Sequence, residues 1–117
     1  LCAHPPADIR VEDNTRLALG NLTMEFIHTP GHSPGAVCVR VGNHLFTGDT
    51  LFVGAVGRTD LPGGSFQTLL GSIKERLLSL PPETVIWPGH DYGDRPQSTL
   101  AREMKTNPYI TDYILNR

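Results

Sequence analysis

The chain has 117 residues, of which 38% are hydrophobic, and ten Lys and Arg against twelve Asp and Glu give a formal net charge of −2. That is enough for one small domain with a real core, although the apolar share is low for a self-sufficient one. The balance excludes a basic stripe for nucleic acid and a polybasic membrane patch, and no apolar run is long enough for a membrane-crossing helix.

At the start, LCAHPPADIR lacks the charged segment and apolar stretch of a signal peptide. With no initiator Met, it suggests a trimmed chain or a piece of a longer one. Next, RLALG and NLTMEFIHT read as a hairpin around Gly20-Asn21, with Leu22, Met24 and Phe26 alternating with polar residues along a half-buried strand. AVCVRV is a further strand, and Gly42-Asn43 turns the chain into another, HLFTGD. From Thr50 to Gly64 runs a glycine-rich loop without a period. Ser65 caps a helix to about Ser79, whose apolar face carries Leu69, Leu70, Ile73, Leu77 and Leu78, and Pro81-Pro82 stops it. TVIWPG is a short buried strand with Trp87 expected in the core. Ser98 can cap a last helix, LAREMKT, in which Arg102, Glu103 and Lys105 read as a solvated face. Asn107-Pro108 breaks it before a short helical tail. The order defines an α/β layout with helices covering a sheet. Cys2 and Cys38 form neither a disulfide framework nor a CxxC pair, so free thiols in a reducing cytoplasm are expected.

Three residues share one address in this layout. His32, Asp49 and His90 each follow the end of an apolar strand, on a loop that contains glycine. If the strands belong to one sheet, these ends converge on one rim, where α/β proteins place polar sites. Two imidazoles and a carboxylate suit zinc, iron or manganese. Taken singly, each residue also reads as an ordinary turn or surface residue. His28, four residues before His32, cannot pair with it on a helix because Pro30 and Gly31 intervene, and it reads as structural.

HTPGHSPG, FTGDTLF, VGRTDLPGGS and PGHDYG, in this order, resemble the metallo-β-lactamase fold hydrolases, in particular the branch of glyoxalase II-type thioesterases and persulfide dioxygenases. STLAREMKTNP is similar to that branch as well. The resemblance covers nearly the whole chain. It implies an αββα sandwich with a mixed sheet and covering helices. It makes His32, Asp49 and His90 metal ligands, Asp49 bridging two ions, and it implies one or two zinc ions. The implied reaction is hydrolysis of a hydroxyacylglutathione-like thioester by a metal-bound hydroxide, with Asp49 in the catalytic set. Arg58 and Tyr92 are the candidate substrate-binding residues. Arg58 would grip an acidic substrate tail, or else pair internally with Asp60.

The HxHxDH motif that supplies most ligands in that family is not in the sequence. Residues 1–117 therefore resemble a single partial domain, the C-terminal half of the fold. Half a sandwich exposes a sheet face that is normally covered, so the expectation is a missing N-terminal half or a homo-oligomer, with the isolated chain inactive or weakly active. The alternatives are a mononuclear iron persulfide dioxygenase-like enzyme, with His90 unliganded, and a non-catalytic half-fold that self-associates or binds a partner. The expected ligand is a small thioester or thiol-derived molecule.

Overall fold

Short apolar-rich segments build a six-stranded sheet, described in a computed structural model for residues 13–90 and 93–115. Its strands are β1 (Arg16–Leu19), β2 (Leu22–His28), β3 (Val37–Val41), β4 (His44–Gly48), β7 (Val85–Pro88) and β8 (Ser98–Thr99), in that spatial order. β4 and β7 pair in parallel and all other neighbours are antiparallel, so the sheet is mixed. A separate two-stranded hairpin, β5 (Leu51–Phe52) and β6 (Ala55–Val56), lies within the stretch expected to be plain loop. Strands of two residues are too short to carry a readable period.

One face of the sheet is covered. Ile27, Cys38, Leu45 and Ile86 point into a core completed by Leu69, Ile73 and Leu77, and by Leu100 and Ile110 from the C-terminal helices. Ser65 caps α1 (Phe66–Ser72) by accepting from the Thr68 amide at 3.2 Å. The helix widens into a π-helical turn over Ile73–Leu77, closed by the Leu78 amide on the Ile73 carbonyl at 2.9 Å. The expected apolar face thus packs against the sheet. The cap of α2 (Leu100–Thr106) is Thr99, not Ser98. Ser98 instead belongs to β8, and its hydroxyl donates to Glu103. Asn107 then caps α3 (Pro108–Tyr113). Burial pushes the Cys38 thiol above the ordinary range, against the opposing hydrogen bonds of Thr29 and Thr50.

The opposite face is apolar, and no helix among the described residues covers it. Phe26, Val39, Phe46 and Trp87 form one cross-strand row in register. Phe46 is 47% exposed, and Leu22 and Val37 are exposed on the same face. Trp87, expected in the core, is half-buried in this row, and its indole N–H donates to Nδ1 of His44 at 3.0 Å. Period-two alternation placed Trp87 opposite Ile86, so only one of the two could face the helices.

Gly31 fixes where the β2–β3 loop meets α1. Its φ is +145°, and a Cβ there would lie 2.3 Å from the Leu69 Cα. The neighbour is helix backbone and cannot yield. Gly31→Ala is expected to lower the unfolding free energy by about 1–3 kcal/mol, read by urea denaturation. An unchanged midpoint would contradict this packing.

Candidate metal centre

The sheet order brings three loops to one edge. β2 and β4 both run antiparallel to β3, and β7 runs parallel to β4, so the C-terminal ends of β2, β4 and β7 share one rim. His32 follows β2, Asp49 follows β4 and His90 follows β7. Asp49 sits between the imidazoles. Its Oδ2 lies 3.6 Å from Nε2 of His32, and its Oδ1 lies 3.0 Å from Nε2 of His90. All three line a cleft of about 540 Å3.

The loop that carries His32 is fastened from several sides. His28 ends β2, and its Nε2–H donates to the Pro34 carbonyl at 2.8 Å, closing the loop beneath His32. The Ser65 amide donates to the Gly31 carbonyl, and the Ser72 hydroxyl donates to the Pro30 carbonyl at 2.7 Å. His32 itself is oriented by the Arg58 backbone carbonyl, 2.8 Å from its Nδ1. A carbonyl oxygen only accepts, so Nδ1 carries a proton, which in a neutral ring leaves the lone pair on Nε2. This is the second partner by which ligating histidines are commonly aimed. Gly57 permits the approach of this segment. A Cβ on it would fall within bonding distance of the Asp49 carbonyl oxygen and 3.4 Å from Nδ1 of His32.

The donor chemistry fits a divalent cation. Nε2 of His32 faces a carboxylate oxygen at 3.6 Å, a gap that a shared cation would fill. Among the described residues, no three His, Cys, Asp or Glu side chains close around one point. The set instead offers two donors on each side of Asp49, fewer than a stable zinc site uses.

The Arg58 guanidinium grips Asp60 in a bidentate pair, Nε to Oδ1 at 2.8 Å and Nη2 to Oδ2 at 2.9 Å. That pair holds the exposed Asp60 carboxyl down to about 2. Arg58 also lines the cleft. Tyr92 lies outside the described residues.

A buried polar clamp supports the cleft wall, and here the expected solvated face of α2 is corrected. Glu103 is fully buried. It accepts from the Gly54 amide at 2.8 Å, the Ser98 hydroxyl at 2.7 Å and the Asn107 side-chain amide at 3.0 Å. Asn107 also donates to the carbonyls of Phe52 and Ala55. Together they anchor the β5–β6 hairpin, whose Phe52 meets the His90 ring edge-to-face at 5.9 Å. The i, i+4 spacing of Glu103 and Asn107 on either side of the apolar Met104 was the available signal.

The profile of the Metallo-beta-lactamase superfamily matches residues 2–90. The chain belongs to the metallo-beta-lactamase superfamily. It is 41% identical over 112 residues to a probable metallo-hydrolase, YqgX, of Bacillus subtilis, which spans 94% of this chain and 51% of that protein. Persulfide dioxygenase ETHE1 of Homo sapiens is 37% identical over 107 residues, 90% of this chain and 42% of that protein. The solved structure of TTHA1623 in a di-iron-bound form superposes with a TM-score of 0.76 at 47% identity, covering 90% of this chain and 50% of that one. The chain thus spans about half the length of the curated relatives it matches. The fold is that of the superfamily, a metal-dependent hydrolase-like fold, and both zinc and iron are compatible with these relationships. No helix among the described residues is long and apolar enough to cross a membrane.

Proposed function

We propose that this chain is the C-terminal half of a metal-dependent thioester hydrolase and contributes His32, Asp49 and His90 to its metal centre. The observation that carries the reading is Asp49, with one carboxylate oxygen turned to each imidazole. A bound divalent ion, zinc in this reading, supplies water activation and carbonyl polarisation. The chain's own residues do the rest. The Arg58 carbonyl keeps the proton of His32 on Nδ1 and so keeps Nε2 available. Phe52, Ala55 and Val56 form an apolar flank that limits water beside the reacting group. The partner is a small thioester or thiol-derived molecule, with neither nucleic acid nor membrane involved. A reducing cytoplasm suits the buried free thiol of Cys38.

The identity to a persulfide dioxygenase favours a second reading, in which His32 and Asp49 serve a single iron and His90 stands aside. Co-expression of the chain with an upstream segment carrying HxHxDH separates the two. Thioester hydrolysis without oxygen uptake supports the first. Persulfide-dependent oxygen consumption supports the second, and neither activity would overturn both.

The bare sheet face favours the complement being essential. The isolated chain is expected to associate through the Phe26–Val39–Phe46–Trp87 row, giving a concentration-dependent elution volume that Phe46→Lys shifts to the monomer. A monomer at all concentrations would contradict this.

A further inference from the structure

The cleft continues from the metal-facing residues to a cluster of aromatic rings. Phe66 opens α1, while Tyr109 and Tyr113 lie one turn apart on α3. The Phe66 ring stands edge-on to Tyr113 at 5.4 Å and 88°, and to Tyr109 at 6.4 Å and 73°. The two tyrosines stack at 6.2 Å and 22°. Phe66 and Tyr109 line the same cleft as His32, Asp49 and His90. Tyr113 is 63% exposed and backs the other two rings. The cation in the lining, Arg58, is paired with Asp60 through Nε and Nη2. This end of the cleft therefore offers aromatic faces and edges, and the Arg58 guanidinium in the lining already has a carboxylate partner in Asp60.

We propose that Phe66 and Tyr109, supported by Tyr113, form a subsite for an uncharged aromatic acyl group of the substrate. Such a ring adds to the edge-to-face cluster and fills apolar space, whereas an acidic tail gains nothing from these rings and would share Arg58 with Asp60. The inference rests on the thioester reading for its reacting group, but the subsite is tested by binding alone.

The probes are S-phenylacetyl-N-acetylcysteamine, its S-acetyl counterpart, and the phenylacetyl amide analogue that cannot be hydrolysed as a thioester. Binding to the chain is followed by NMR shifts of the amides at residues 66–69 and 109–113. Both phenylacetyl probes are expected to bind about three- to tenfold more tightly than the acetyl one, the range that an aromatic pair supports. Tyr109→Ser should erase that difference, while Tyr109→Phe retains it. Tyr109 is at the surface, and an unchanged unfolding midpoint confirms that the variant folds. Equal binding of all probes, no binding of any, or a preference that survives Tyr109→Ser would overturn the subsite. Aryl-dependent binding without thioester turnover in the complemented protein would overturn the hydrolytic reading and leave the subsite standing. Turnover without aryl preference would do the reverse.

Discussion

Asp49→Ala is expected to weaken zinc binding by on the order of 100-fold, the upper end of what even an indirect partner of a metal site contributes. Asp49 lies between the two imidazoles, its carboxylate oxygens 3.6 and 3.0 Å from their Nε2 atoms. Removing it takes away the carboxylate that stands between the two imidazoles. Asp49→Asn keeps the size and loses the charge, so it should fall close to alanine. A chromophoric chelator competing for zinc reads both. The wild-type chain should itself bind weakly, because each side of Asp49 has only two donors. Equal affinity in wild type and Asp49→Ala would remove the carboxylate from the site.

The second large effect falls on stability. Glu103→Ala strips the acceptor from the Gly54 amide, the Ser98 hydroxyl and the Asn107 side chain in a fully buried place. It also leaves the Arg102 guanidinium without its 3.4 Å contact to Oε2. Breaking such a buried charged network costs about 3–5 kcal/mol. Urea unfolding should show it as a lower midpoint. Glu103→Gln keeps one acceptor oxygen and should lose less. Hydrogen exchange at the Gly54 amide should accelerate in both variants, since the hairpin it anchors carries Phe52 against His90. A Glu103→Ala chain as stable as wild type would show that the clamp contributes little.

The candidate site was legible in the sequence because its three residues obey one local rule: each follows an apolar strand. His28 was separable from His32 by Pro30 and Gly31 alone, and its bond to the Pro34 carbonyl agrees with a structural role. What escaped the sequence is tertiary. The β5–β6 hairpin is held by Glu103 and Asn107, some fifty positions away, so nothing within the hairpin announces it. Glu103 sits between Arg102 and Met104 in a helix with charged neighbours, and only its position against the hairpin buries it. Trp87 looked like core because its strand is apolar on both faces. That pattern belongs to a strand covered on two sides, and among the described residues one side is bare.

The central claim is that His32 and His90, on either side of Asp49, are the metal-binding imidazoles of this chain. It is tested most directly by following the side-chain nitrogen resonances of the histidines by NMR during a zinc titration. Nε2 of His32 and His90 should shift with added zinc. His28, bound to the Pro34 carbonyl, and His44, bound to the Trp87 indole, should not move. Shifts confined to His28 or His44, or no shift at His32 and His90 at saturating zinc, would contradict it.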